Sequence, residues 1–175
     1  PVGSSVYGAI TIISLAHDVL VPTALMALMG HFLGAEVDVL FVMALLAVLG
    51  YSVNDTIVIF DRVRENIAKY RHEHKKTVSA PGGIKRDEVT YSFNRPFGQI
   101  VGLSVEESLL RSINTSLTTG LALLAVYLFG GEVTKNFALV LLAGVAAGAY
   151  SSIFFASPLL VWYAEWKERR SKVSI

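Results

Sequence analysis

Two carboxylates, Asp18 and Asp55, stand with apolar sequence on both sides, and that setting decides what chemistry they can do. An ionised carboxylate in hydrocarbon costs at least about 2.5–3.5 kcal/mol on insertion scales, so each needs a partner or a proton. Either the carboxyl is held neutral as a hydrogen-bonded strut between helices, or it passes a proton or ion along. For Asp55 the relay reading is preferred. For Asp18 both readings stay open, because the neighbouring His17 can simply accompany it at a helix contact. At about 1.5 Å per residue, Asp55 lies roughly 25 Å along its helix from Asp38, and Arg111 lies roughly 28 Å from Gly130. They share a level. Asn114, one turn further in from Arg111, falls at about the depth of Asp55, whereas Asp18 is only roughly 18 Å from Gly30 and so differs from Asp55 by roughly 7 Å. A carboxylate facing a guanidinium stays ionised, and withdrawing the guanidinium lets it take a proton. A movable pair of this kind couples a proton to helix movement. The alternative for Arg111 is an ordinary arginine reaching to the membrane interface.

These residues must be positioned by the elements that carry them. Four apolar segments, Val6 to Met29, Val39 to Phe60, Ile113 to Phe129 and Phe137 to Tyr163, have roughly the twenty residues needed to cross about 30 Å of hydrocarbon as helices. Short connectors, Gly30 to Asp38 and Gly130 to Asn136, make each pair a hairpin. The expected architecture is an all-α membrane protein of two transmembrane hairpins. Its divisions are a first hairpin at 1–61, a cytoplasmic connector at 62–110, a second hairpin at 111–163 and a cytoplasmic tail at 164–175. Composition agrees: 53% hydrophobic residues, 17% charged residues and a mean hydropathy of +0.55 are too apolar for a water-soluble domain. The net charge of +1 says little, since the side on which charges lie matters more than their sum. Arg62, Arg64, Lys69, Arg71, Lys75, Lys76, Lys85, Arg86, Arg95 and Arg111 fill the middle connector, and Lys167, Arg169, Arg170 and Lys172 fill the tail. Lys135 alone lies on the other side. By the positive-inside rule, the connector and tail are expected in the cytoplasm. The same residues are read as a topology signal and not as a nucleic-acid surface.

The absence of cysteine excludes disulfides and thiolate chemistry, and the four histidines show no metal-ligand spacing, so no metal or cofactor is expected. Pro1 precedes an apolar span with no basic leader, which suggests a piece of a longer chain. In the connector, Asp61 to His74 is expected to continue the second helix. Thr77 to Gly83 and Arg95-Pro96-Phe97-Gly98 are expected to break the chain, and Ser104 with Glu107 to start a new helix as a capping box. Ser112, Asn114, Thr115, Ser116, Thr118 and Thr119 form a hydroxyl and amide run at one end of the third span, suited to interhelical hydrogen bonds or a wet crevice. Gly144, Gly148 and Ser152, four apart, form a small-residue face for close helix packing.

The stretch Gly50-Tyr51-Ser52-Val53-Asn54-Asp55-Thr56-Ile57-Val58-Ile59-Phe60-Asp61-Arg62-Val63-Arg64-Glu65-Asn66 closely resembles the SecF family of protein-export subunits. Ala16-His17-Asp18, Arg111 to Thr119, Tyr127 to Gly131 and Tyr150 to Leu159 match in the family's order. The resemblance implies an RND-type six-helix bundle of which this chain supplies the last four helices, without the first two and the periplasmic domain between them. It implies SecD, the SecYEG channel and the translocating preprotein as partners within the lipid bilayer, after the motor SecA has acted. The implied coupling ion is the proton, with sodium as the alternative. On this resemblance the relay residues fall on Asp55 and Arg111, with Asp18, His17, Asn54, Asn114 and Thr115 in support. Residues 74–102 depart from the pattern and receive no family role.

Another RND-type proton-driven exporter would share the relay, but Asn54-Asp55 and the Arg111 to Thr119 run favour SecF. An intramembrane aspartyl protease is the rival from a different class, since Asp18 and Asp55 lie on adjacent antiparallel helices. A catalytic dyad must sit at one level, and the expected depths differ by roughly 7 Å. Proton-driven transport, and not enzymatic catalysis, is therefore the expectation.

Overall fold

Helix α1 (Ser4–Leu33) carries apolar side chains around its whole circumference, as a helix does when water is not its surrounding medium. The computed structural model describes residues 3–79 and 85–173. Helix α1 stops where Gly34 turns left-handed at φ 68°, with its N–H on the Gly30 carbonyl at 3.2 Å and the Ala35 N–H on Met29 at 3.3 Å. Glycine reaches this conformation without a Cβ penalty. After a short connector, Asp38 caps α2 (Val39–Lys69) by accepting the Phe41 N–H at 2.9 Å.

The second helix does not continue to His74. It ends at Lys69, and Arg71–Ser79 forms strand β1, antiparallel to β2 (Lys85–Phe93), with Arg71 opposite Phe93 and Ser79 opposite Lys85. Both segments contain Val and Thr, and one a Tyr, residues that suit a pleated ribbon better than a helix. A two-stranded ladder also satisfies the backbone groups that an interrupted helix would leave open. The expected break at Thr77 to Gly83 thus lies partly in β1, and its residues 80–83 are outside the described ones.

Helix α3 (Phe97–Phe129) begins directly after Pro96, whose carbonyl accepts the N–H groups of Gln99 and Ile100 at 3.0 and 3.3 Å. Ser104 is therefore inside the helix and caps nothing. Its hydroxyl donates to the Ile100 carbonyl at 2.7 Å, while Glu107 reaches across to Arg62. Local pattern suggested a capping box, but the proline four residues before Ile100 supplies an earlier start with its φ already set for the first turn. The last span is one long run: α4 (Glu132–Ser151), a π-helical turn at Ser152–Ala156, and α5 (Ser157–Val173). Pro158 cannot donate a backbone hydrogen bond into the preceding turn, and the Ser157 hydroxyl donates to the Ser152 carbonyl at 3.0 Å instead.

Among the described residues, four helical stretches are long and apolar enough to cross a membrane, so the all-α membrane architecture holds, with the β1–β2 ribbon added between the two hairpins. The core has three levels. One apolar cluster joins Tyr7, Ile10, Ile59, Phe60, Val63, Val101, Ala156 and Leu160. A second, at the opposite end, joins Met26, Phe41, Ala44 and Val140. Between them lie buried hydroxyls and the carboxyl of Asp18. The α2–α4 contact is set by small residues: a Cβ at Gly144 would collide with the Val48 side chain, and one at Gly148 would come within 3.2 Å of Ser52 Cβ. Overpacking of a filled core costs about 1–3 kcal/mol. Gly144→Val is accordingly expected to lower the thermal midpoint of the purified protein in detergent, whereas Gly120→Val, where a Cβ meets nothing within 4 Å, leaves it in place. Equal midpoints would show that α2 and α4 do not meet at this point.

Candidate functional site

Asp18 is fully buried where α1, α2 and α4 meet. Its Oδ2 accepts the Ser52 hydroxyl from α2 in a short hydrogen bond and the Ser151 hydroxyl from α4 at 2.7 Å. Its Oδ1 lies 3.0 Å from Nδ1 of His17, whose ring stacks on Phe155 in the π-helical turn with centroids 5.3 Å apart. Ser14, one turn before Asp18, directs its hydroxyl to Ser151 at 3.4 Å. Four residues after Asp18, Pro22 removes the helical hydrogen bond that the Asp18 main-chain carbonyl would accept. The same short segment thus combines a buried carboxyl with a weakened helical ladder.

One turn along α2 from Ser52, the Asp55 carboxyl is partly buried and takes a forked hydrogen bond from the Ser112 hydroxyl of α3, 2.6 Å to Oδ1 and 2.7 Å to Oδ2. Thr56 next to it hydrogen-bonds Ser152, the first residue of the π-helical turn, at 2.9 Å. Ser52, which donates to Asp18, stands three residues before Asp55 on α2, roughly 4.5 Å along the helix axis, so the two carboxyl environments meet on neighbouring turns of one helix.

The sequence placed Arg111 at the level of Asp55 as a candidate partner, and no ion pair joins them among the described residues. The adjacent Ser112 faces Asp55, and Arg111 is exposed, lining an open cavity of about 270 Å³ with Val58, Asp61, Arg62, Glu65, Glu107 and Ser108. Neighbouring helix residues point about 100° apart, so depth-matching could find the level of the pair and not which of two successive side chains faces inward. In the wall of this cavity Arg62 bonds Glu107 and Glu65, both at 2.7 Å, and Asn66 bonds Glu107 and Ser104, both at 3.0 Å, tying α2 to α3.

The remaining sequence candidates separate. His17 is at the site beside Asp18. Asn54, Asn114 and Thr115 are exposed on the outer faces of α2 and α3; the Thr115 hydroxyl returns to its own helix at the Arg111 carbonyl, 2.8 Å away. Ser52, Thr56 and Ser151 were not singled out by sequence, although Ser52, Asp55 and Thr56 at i, i+3 and i+4 mark one helix face. Asp18 and Asp55 each have their own hydroxyl donors and no direct hydrogen bond to each other, unlike two carboxyls sharing one catalytic proton. No group of three or more His, Asp or Glu side chains converges as a metal site among the described residues.

The family model for the C-terminal part of the protein export membrane proteins SecD/SecF matches residues 4–81 and 84–166. The chain belongs to the SecD/SecF family. Among curated proteins it is 46% identical over 155 residues to the protein translocase subunit SecF of Thermobaculum terrenum, covering 89% of this chain and 42% of that one. It is 40% identical over 165 residues to the SecF subunit of Synechocystis sp., covering 94% of this chain and 45% of that one. A crystal structure of SecDF in a super-membrane-facing form superposes with a TM-score of 0.74 at 32% identity, over 97% of this chain and 20% of that chain. This SecD/SecF chain therefore spans less than half the length of the SecF relatives it matches, and it is a multi-pass membrane protein.

Proposed function

We propose that the chain is the membrane-embedded C-terminal part of a SecF-type subunit that couples the proton motive force to export of polypeptides across the bacterial cytoplasmic membrane. Its partners in this reading are SecD, the SecYEG channel and the translocating preprotein. The observation that carries the reading is the partly buried Asp55 carboxyl, held by Ser112 of the opposite hairpin, the residue next to Arg111. Asp55 is the group that takes and releases the coupling ion. Ser112 orients the carboxyl, and Arg111 supplies a positive charge that favours the ionised form when close and the protonated form when it withdraws. A change in helix spacing between α2 and α3 thereby changes proton occupancy, and a change in occupancy biases the spacing by the same free energy. Asn54, Asn114 and Thr115, exposed in the spans, are suited to a partner helix or a wet crevice in the complete assembly.

The basic connector and tail place both on the cytoplasmic side in this reading. A topology reporter inserted after Gly82 is expected to work only in the cytoplasm; activity on the opposite side would reverse the orientation. Trp162, Tyr163 and Trp166, with Arg170 lying 4.2 Å over the Trp166 ring, then sit at the inner interface.

Depletion of the full-length protein should slow maturation of pulse-labelled secreted preproteins several-fold. A SecD-type subunit should copurify with it from solubilised membranes. Unchanged maturation, together with purification of the protein alone, would remove the proposal.

A further inference from the structure

Glu107 has no assigned part in the coupling step, yet it lines the same cavity as Arg111 and holds the cytoplasmic half of α3 to α2. We propose that Glu107 is a positioning residue of the coupling site: it receives Arg111 when that guanidinium withdraws from Asp55, and in doing so it gives up Arg62 and loosens the α2–α3 contact.

Three observations carry this. The first is that the Arg62 guanidinium already bridges two carboxylates: Nε donates to Glu107 across the helix contact and Nη1 to Glu65 on its own helix, both at 2.7 Å. Releasing Glu107 therefore leaves Arg62 paired. Asn66 likewise donates to Ser104 as well as to Glu107, both at 3.0 Å, and so keeps a partner on α3. The second is that both bonds to Glu107 fall on Oε2, while among the described residues no hydrogen bond falls on Oε1. The third is the situation of Arg111. Its exposed guanidinium makes no ion pair among the described residues, and it lines the open cavity of about 270 Å³ together with Glu107. Glu107 precedes Arg111 by four residues on α3, the spacing at which two helical side chains meet, with the acidic residue first, the favourable order. The other carboxylates of the cavity, Asp61 and Glu65, lie on α2, and Glu65 already holds Arg62.

The exchange keeps charges matched in both arrangements. With Arg111 at Asp55, Arg62 joins Glu107 across the two hairpins. With Arg111 withdrawn, the pairs are Arg62 with Glu65 on α2 and Arg111 with Glu107 on α3, each within a single helix. Asn66 with Ser104 and the apolar contacts of Ile59, Val63 and Val101 remain, so the helices loosen and do not separate. The side chains of Arg62 and Glu107 are 40% and 37% exposed. Pairs this exposed add little net stability, so the exchange costs little and can follow the position of Arg111. The described state lies between the two arrangements, with Arg111 paired to neither carboxylate and Glu107 still on Arg62. This deepens the proton-coupling reading and rests on it for its purpose, but its test reads helix positions and not export.

Spin labels on Ala68→Cys and Gly102→Cys report the spacing of α2 and α3 in the full-length protein, reconstituted with its copurifying partner. Both positions are exposed, lie near the cytoplasmic ends of the two helices and stand outside the network, and a Cβ at Gly102 meets nothing within 4 Å. Pulsed electron–electron distance measurement is expected to give a shorter and a longer distance. Glu107→Gln keeps the shape and weakens the bridge, and it should raise the ratio of longer to shorter at least threefold. Asp55→Asn removes the charge that draws Arg111 away from Glu107, and it should raise the ratio similarly; adding Arg111→Gln should cancel that rise, since the two residues act through one exchange. A merely structural bridge responds to Glu107→Gln and to neither Asp55→Asn nor Arg111→Gln, and that result would overturn the proposal. A response to Asp55→Asn that vanishes with Asp61→Asn and survives Glu107→Gln would overturn it too, by making Asp61 the receiver. If the distances respond while Asp55→Asn exports normally, the exchange stands and the export reading falls; blocked export with unmoved distances gives the reverse.

Discussion

Cells whose full-length protein carries Asp55→Asn are expected to lose the proton-driven component of export, with residual export within about twofold of cells lacking the subunit. The amide keeps the shape of the carboxyl and still accepts the Ser112 hydroxyl, so the α2–α3 contact survives and the protein inserts in normal amount. What it cannot do is titrate. A substitution that preserves contacts and removes a function made only by the titrating group should therefore affect activity far more than stability. The check is to measure accumulation of unprocessed preprotein beside the amount of membrane-inserted protein. A normal amount of protein with blocked export supports the relay. Loss of the protein itself would instead make Asp55 a strut between helices.

The second large effect is expected at Arg111. Arg111→Gln should reduce proton-dependent export at least tenfold, and Arg111→Lys should recover part of it, since lysine keeps the charge but not the planar fork. The double variant, Asp55→Asn with Arg111→Gln, should be little worse than either single change. Residues that act as one unit give non-additive losses, whereas independent contributions multiply. This prediction does not need an ion pair in the state described here, in which Arg111 lines a cavity beside Ser108 and Glu107. It needs the guanidinium to approach Asp55 in another state of the cycle. A multiplicative loss in the double variant would separate the two residues and leave Arg111 as an interface arginine.

The span count and the identity of the interior carboxylates were legible in the sequence because both follow from transfer free energy, which needs only residue type and run length. Helix ends were less so. Whether the chain after Lys69 stays helical depends on its pairing with residues beyond the next turn, and no local pattern reports that the ribbon at 71–79 has a partner at 85–93. The capping box at Ser104 failed for a related reason: its residues are used across the α2–α3 contact, Ser104 with Asn66 and Glu107 with Arg62. In the site, depth along a helix was readable and direction around it was not. Counting residues brought Arg111 to the level of Asp55, but the facing side chain is Ser112. Counting also held Asp18 apart from Asp55, because it started α1 at Gly30, whereas the helix runs on to Leu33. The hydroxyl of Ser52, an ordinary residue in sequence, brings the two environments together.

The central claim, that Asp55 couples a proton gradient to polypeptide movement, is tested most directly in inverted membrane vesicles carrying either the wild-type protein or Asp55→Asn. Completion of preprotein translocation after the ATP-driven step is timed with and without an imposed pH gradient, and again with a sodium gradient in its place. The account predicts that the pH gradient accelerates completion several-fold in wild-type vesicles, that the sodium gradient does not, and that Asp55→Asn vesicles respond to neither. An undiminished response of the Asp55→Asn vesicles to the pH gradient would contradict it.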